Sequence, residues 1–406
     1  MKRDVVILCQ YFYPEYVSSA TLPTELAIGL LDKGLEVSVV AGFPKEYIDG
    51  NRKDILLKEN FKGVDIRRVK YTNQNNKTKL GRLLNFFTLF VSMLSKVNYL
   101  RKFNSIIVYS NPPILPIIPY YLKKLFKTRL IFVVFDIYPD SALKLNAIKP
   151  NGSIHKVMKF INNRVYKNAD KIVLLGNEMK EYVITNKIAS KEVNLHVIPN
   201  WYSNETLLVT DEVMNDEFLM IRKEYRFIVL YSGNMGSFQD METILRGILH
   251  YKDQKEVFFI FCGHGNKLPD VKEFIQENHI TNAKAYDFLV GTEYADVLKI
   301  SDICLVSLEK GVEGLGVPSK TYGYFAAGKP TIAIMKSTTD IAKSILLAEC
   351  GSNIMQGDVE GFIHAVDYYR NNPDIREKHS INARELYREQ YNKAKNIDKY
   401  YEIIIK

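Results

Sequence analysis

The chain has 406 residues, 47% hydrophobic and 25% charged, as in ordinary globular proteins; this excludes a disordered tail, a collagen and a polytopic membrane protein. At about 100–200 residues per domain, the length predicts two or three domains. The net charge of +9 splits into +15 for residues 1–200 (31 basic, 16 acidic) and −6 for residues 201–406 (24 and 30), which points the first half toward an anionic surface or ligand.

Within the first half, residues 52–102 hold 13 basic and 3 acidic residues. A solvated basic face explains this, and so does attraction to an anionic membrane leaflet. No nucleic acid partner is expected, because no helix-turn-helix, zinc-finger or RNA-binding signature is present. Cys9, Cys262, Cys304 and Cys350 are scattered, with no CxxC and no paired His. No disulfide framework or zinc site is expected, and a reducing compartment is the default. No signal peptide is expected at Met1 to Leu8, since the apolar run there is short and Gln10 interrupts it. The expected location is cytoplasmic, or peripheral at the inner face of the plasma membrane.

In chain order, Val5–Cys9 reads as a buried strand and Thr21–Lys33 as a helix that stops at Gly34. Further strands are predicted at Glu36–Ala41, Ser105–Tyr109, Leu130–Phe135 and Lys171–Leu175. The second half repeats the pattern, with strands at Phe227–Tyr231, Val257–Cys262, Asp302–Val306 and Thr331–Ile334 and helices at Met241–His250, Asp270–Asn278 and Tyr294–Ile300. Short apolar strands alternating with helices imply parallel sheets covered on both faces. The expected fold is α/β, with two Rossmann-like doubly wound units facing a deep cleft and a boundary near Pro199-Asn200-Trp201. The domains are read as 1–198, 199–385 and a C-terminal helical segment, 386–406, packing back on the first. Ligands of such sheets bind beyond the carboxyl ends of the strands.

Residues 83–94 are strongly apolar and are followed by Lys96, Arg101 and Lys102. The segment is too short for the roughly 20 apolar residues of a membrane span. It reads as a core helix or as an interfacial helix dipping into headgroups.

The sharpest chemical signal is Glu309–Pro330, between two strands. Gly314 and Gly316 allow close backbone approach to a ligand. Pro318 and Ser319 make a helix start, with Ser319 as N-cap candidate, and Gly328 with Pro330 a stop. The helix Lys320–Ala327 then offers free amides, its dipole and the Lys320 ammonium to an anion, for which a diphosphate is the natural occupant.

These residues, with others in order along nearly the whole chain, resemble the retaining glycosyltransferases of family 4, which have the two-domain GT-B fold. The likeness is nearest to the bacterial branch building capsule and O-antigen polysaccharides. It rests on Phe12-Tyr13-Pro14-Glu15 with Ser18-Ser19 and Thr24-Glu25-Leu26-Ala27, on Phe135 to Ser141, and on Val197 to Trp201. It rests also on Tyr231 to Gly236, on Cys262-Gly263-His264-Gly265, and on Pro318-Ser319-Lys320 with Ala326 to Pro330. Three features depart from the family pattern. Gly323 stands where a ribose-binding glutamate is expected, and Gln239 and Asp240 stand where a basic pair is expected. No His precedes His155.

The resemblance implies transfer of a sugar from a nucleotide diphosphate, UDP on family grounds, to a hydroxyl of a polyprenyl-diphosphate-linked or oligosaccharide acceptor. Asp136, Lys320 and Glu313 are the expected catalytic residues. Lys320 would face the leaving diphosphate, Asp136 the acceptor hydroxyl and Glu313 the transferred sugar. Donor contacts are expected from Ser18, Ser19, Gly233, Asn234, Met235, Gly236, His264, Gly314, Leu315, Gly316, Val317, Pro318, Ser319 and Thr321. Acceptor contacts are expected from Tyr13, Glu15 and Asp140. No Asp-x-Asp occurs, so no metal or other cofactor is expected beside the nucleotide-sugar co-substrate. The competing readings are a nucleotide-sugar epimerase of the same architecture and a degenerate binding subunit. A dehydrogenase is disfavoured because no Gly-x-Gly-x-x-Gly follows the first strand.

Overall fold

The computed structural model describes residues 3–45, 54–75, 78–189, 194–203, 205–208, 210 and 212–406; Arg52, Lys53 and Lys77 of the basic stretch lie outside them. Two compact units emerge. One comprises Met1–Pro199, Gly314–Gly316 and Lys393–Lys406, the other Asn200–Glu313 and Val317–Asn392.

The first unit is built on an eight-stranded sheet. Its strands are β1 (Arg3–Cys9), β2 (Val37–Gly42), β3 (Lys58–Phe61), β4 (Val64–Val69), β5 (Phe103–Tyr109), β6 (Arg129–Val134), β7 (Lys171–Leu174) and β8 (Leu195–Val197). The order is β3-β4-β2-β1-β5-β6-β7-β8. Only the edge strand β3 runs antiparallel, against β4. Val5 to Leu8 and Val39 to Ala41 are fully buried, as expected of central strands covered on both faces.

Helix α1 spans Ser18–Asp32, so Ser18 and Ser19 lie in its first turn rather than in a loop before Thr21. Val17 is the N-cap, and Pro23 falls inside the helix. Pro23 has no N–H, so the Ser19 carbonyl loses its intrahelical partner. The last helix, Lys393–Ile405, belongs to this unit: Lys393 pairs with Glu25 at 3.2 Å. Arg129 donates to the carbonyls of Ile404 (2.7 Å) and Ile403 (3.1 Å).

The second unit has a six-stranded sheet of β9 (Phe227–Asn234), β10 (Val257–His264), β11 (Ala283–Tyr286), β12 (Ile303–Ser307), β13 (Thr331–Ile334) and β14 (Gly351–Ile354). The order is β11-β10-β9-β12-β13-β14. Every pairing is parallel. The four cysteines are free and buried. Among the described residues, no helix is long and apolar enough to cross a membrane.

Candidate donor and acceptor sites

In the second unit the geometry converges at the carboxyl ends of β9 and β10. Register pairs Gly233 with Gly263 and Asn234 with His264. The two strands approach so closely that a Cβ on Gly263 would sit 1.9 Å from the Gly233 carbonyl oxygen, and Gly263 also has φ of +149°. No other residue fits there. Beyond the strands, the Met235 N–H donates to the His264 carbonyl at 2.7 Å and the Lys267 N–H to the Met235 carbonyl at 2.8 Å. Two glycine-rich loops are thereby fastened side by side.

Lys320 reaches this place from the helix Lys320–Ala326. Its Nζ lies 3.7 Å from the centroid of the Tyr231 ring and donates to the Asn234 carbonyl at 3.2 Å. Gly233 lies directly beside its stem: a Cβ there would be 3.4 Å from Lys320 Cε. Burial against this wall pushes the ammonium well below the usual lysine range. Desolvation also lowers the His264 imidazole, and the Lys320 charge lowers it further. The His264 ring stands edge-on to Phe288 at 5.0 Å.

Several donor-side expectations take a different form. Ser319 is the N-cap by position, but its side chain makes no capping bond. Thr321 is fully buried, its hydroxyl donating to the Pro318 carbonyl at 2.7 Å and its N–H to the same oxygen at 3.3 Å. That amide is therefore not free for an anion, and Thr321 holds the turn instead. Met235 is fully buried in the core beside Tyr231, so its side chain is closed to a ligand. Pro318 is buried and Val317 half-buried. Glu313 pairs with Lys336 at 3.4 Å.

The departures from the family pattern have local causes. Gln239 accepts from the Gly236 N–H at 2.9 Å, and Asp240 accepts from the Thr243 N–H at 3.1 Å. Both are buried and bind the loop together. Sequence reasoning missed Lys267, which donates to the Gln239 carbonyl and to Glu309, each at 2.6 Å. A Cβ on Gly323 would lie 3.3 Å from both the Tyr202 ring and the Tyr294 hydroxyl. Tyr294 and Tyr324 bond the Ser232 hydroxyl at 3.1 and 3.0 Å, so tyrosines fill the space a glutamate would need.

In the first unit, Asp136 follows β6. Its N–H and that of Phe135 donate to the buried Ser110 hydroxyl at 3.1 and 3.0 Å. Burial pushes the Asp136 carboxyl up to about 6. Gly316 and Leu315 fall beside it: the Ile137 N–H donates to the Leu315 carbonyl at 3.1 Å, and a Cβ on Gly316 would be 3.2 Å from Asp136 Oδ1. Gly314 backs onto Tyr182. Asp140 accepts from the Tyr182 hydroxyl at 3.3 Å, and desolvation raises its carboxyl despite that bond.

Tyr13 stacks on Phe61 at 3.6 Å. The Glu15 carboxylate is only 4% exposed and accepts from the Phe12 N–H (3.4 Å) and the Lys45 N–H (3.3 Å). It clamps the loop after β1. Ser18 is exposed and Ser19 half-buried.

No protein-family model matches the chain. It is 26% identical to the probable glycosyltransferase WbjE of Pseudomonas aeruginosa over 306 residues, 75% of this chain and 76% of that protein. It is 21% identical to the putative colanic acid biosynthesis glycosyl transferase WcaI of Escherichia coli over 344 residues, 82% and 83% of the two chains. In structure it is similar to sucrose-phosphate synthase from Thermosynechococcus elongatus, with TM-score 0.71 at 14% identity over 99% of both chains. It is also similar to Anabaena HepE in complex with UDP and glucose, with TM-score 0.69 at 13% identity over 98% of both. The two parallel-sheet units thus match GT-B glycosyltransferase structures, and the chain's sequence relatives are named glycosyltransferases.

Proposed function

We propose that the chain is a glycosyltransferase, moving a sugar from a UDP-sugar to a hydroxyl of a lipid-linked or oligosaccharide acceptor in surface-polysaccharide assembly, with retention at the anomeric carbon. The observation that carries this reading is Lys320, held by the Asn234 carbonyl and the Tyr231 ring beside the paired glycine loops of β9 and β10. A cation fixed at the carboxyl ends of parallel strands suits a leaving diphosphate, whose charge grows as the sugar–oxygen bond breaks. Fixed donors aimed at developing charge are usually the largest catalytic contribution. In this reading Lys320 replaces a metal, and turnover persists in a chelator.

On the first unit, Asp136 takes the proton of the acceptor hydroxyl. A carboxyl raised toward neutrality is a better base at cellular pH than an ordinary one. The UDP complex of HepE supports the donor class. The glycosyltransferase names of WbjE and WcaI support the pathway type, as does a structural likeness to WaaG, a glycosyltransferase involved in lipopolysaccharide biosynthesis.

The test is a thermal-shift panel of nucleotide sugars, followed by an assay with and without acceptor. A ligand that binds only the folded state raises its melting temperature by mass action. Absence of a shift with every nucleotide sugar would sink the reading. Free or epimerised sugar formed without acceptor would favour the epimerase.

A further inference from the structure

A cavity of about 210 Å³ opens in the second unit beyond the carboxyl ends of β9, β12 and β14, among Asp240, Glu242, Arg246, Glu309, Lys310 and Gln356. The helices Glu242–Ile248 and Val359–Asn371 beside it pack on the face of the sheet that carries Phe227 and Val229. The helix bearing Lys320 packs on the other face, with Ile228 and Leu230, so the cavity adjoins the donor loops without being part of them. Gln356 is 5% exposed. Its Nε2 donates to the Leu308 carbonyl at 2.9 Å, which turns Oε1 the other way; that oxygen is buried and has no donor among the described residues. A buried acceptor without a donor is costly, so an occupant must donate there.

We infer that this cavity binds a neutral, polyhydroxylated molecule of monosaccharide size, as an effector of the donor site. Size sets the first limit. The cavity far exceeds the roughly 10–15 Å³ that one water needs, and it falls short of the roughly 300–1,000 Å³ of sites for drug-sized ligands. Charge sets the second. Glu242 pairs with Arg246 at 2.5 Å and Glu309 with Lys267 at 2.6 Å. With Asp240 and Lys310 added, the charges cancel, which favours neither an anion nor a cation. Among the described residues no group of three or more His, Cys, Asp or Glu could hold a metal ion. A hydroxyl both donates and accepts, so a sugar can serve the Gln356 oxygen and the carboxylates while accepting from Arg246 or Lys310. The effector role follows from Glu309. Its partner Lys267 also donates to the Gln239 carbonyl at 2.6 Å, and Gln239 accepts from the Gly236 N–H at 2.9 Å. A sugar held by Gln356 and Glu309 therefore stiffens the glycine loop after β9, and UDP binds more tightly. This rests on the proposed function only for the place of the nucleotide.

The experiment is calorimetric titration of the full chain with D-glucose, D-galactose, N-acetyl-D-glucosamine and L-rhamnose, each as the free sugar and as its methyl glycoside. At least one is expected to bind. A methyl glycoside that binds as well as its free sugar supports the site and points to the end of a sugar chain as the source; binding of the free sugar alone supports it with a soluble sugar as the source. Val359→Phe fills the cavity by changing a side chain that makes no hydrogen bond, and Gln356→Leu removes the buried acceptor. Each should weaken sugar binding by about tenfold or more and leave UDP affinity without sugar unchanged. In the wild type the bound sugar should tighten UDP by about fivefold or more, and UDP should tighten the sugar by the same factor. No binding of any sugar would overturn the proposal, as would binding that Val359→Phe retains, the result expected of a sugar lodged elsewhere. Sugar binding with UDP affinity unchanged would overturn the effector role. UDP binding that persists when no sugar binds leaves the donor reading standing, and sugar binding without any UDP binding leaves the cavity's occupant standing while that reading falls.

Discussion

The Lys320 ammonium sits 3.7 Å from the centroid of the Tyr231 ring and donates to the Asn234 carbonyl at 3.2 Å. A cation over an aromatic face is attracted by the ring quadrupole, yet it loses water by lying there. Loss of water prevails, and the lysine is held well below its usual range. Its charge therefore costs the folded chain stability, a cost that a bound anion would offset.

Lys320→Met should accordingly have opposite effects on stability and activity. Between the depressed folded value and the ordinary lysine value of about 10.4, the unfolded chain binds more protons than the folded one, so stability rises with pH in that window. Removing the charge should raise the melting temperature of the ligand-free protein. It should also abolish the UDP-sugar shift and lower kcat/KM by about 10²–10³-fold. A diphosphate restores the charged form, so its binding should take up protons, and affinity should fall as pH rises through the free lysine's value. Calorimetry of UDP in buffers of different ionisation enthalpy measures this.

For Asp136, raised to about 6, the sign is reversed. The folded chain binds more protons than the unfolded chain between about pH 4 and 6, so this residue makes stability fall as pH rises through that window. As a base it must be ionised, so kcat/KM for the acceptor should fall below about pH 6 with a slope of one proton. Asp136→Asn should remove that acidic limb and lower the rate by about 10²–10⁴-fold. A pH–rate profile of both proteins decides it, and an unaltered limb in the variant would exclude Asp136.

The central strands were legible because both of their faces are covered, which forces uninterrupted apolar runs; β13 falls at its predicted bounds, Thr331–Ile334. The strands without such a signal lie at sheet edges or carry buried charge. β8, β11 and β14 are edge or outermost strands with half-exposed patterns. β4 hides Arg68, buried in an ion pair with Glu59 at 2.5 Å and donating to the Tyr13 carbonyl at 2.8 Å. The position of Lys320 was legible from its glycine and proline neighbours. Tyr231 beneath it was not, because a tyrosine at a strand end reads as core until a lysine some ninety residues later lands on it. The packing of the helix Lys79–Leu94 was hidden for a similar reason: it turns Asn85 inward beside Leu89 and Met93, and the partners of Asn85, Thr72 and Gln74, lie in a loop with no periodic signal.

Asp240 replaces an expected basic residue, yet it has a structural role. Asp240→Ala leaves the buried Thr243 N–H without its acceptor. A loss of about 1–2 kcal/mol is expected in chemical denaturation. The double change Gln239→Arg/Asp240→Lys should cost at least as much, because Gly236 then also loses its acceptor. A double variant as stable as the wild type would show that the loop finds other partners.

Gly323 offers the clearest contest between space and chemistry. Gly323→Ala places a methyl 3.3 Å from the Tyr202 ring and the Tyr294 hydroxyl, a small strain set against about 1 kcal/mol of helix propensity gained over glycine. Its stability should stay near the wild type's. Gly323→Glu must push a longer side chain into the same tyrosines, at a cost of about 1–3 kcal/mol for overpacking. Adding Tyr202→Ala should recover part of that loss, since residues in contact are coupled rather than additive. Denaturation midpoints of the three variants measure the coupling, and UDP affinity of the double variant shows whether the cleared space admits a ribose contact. A fully stable Gly323→Glu with tighter UDP binding would mean that the tyrosines yield easily and that their packing does not explain the glycine.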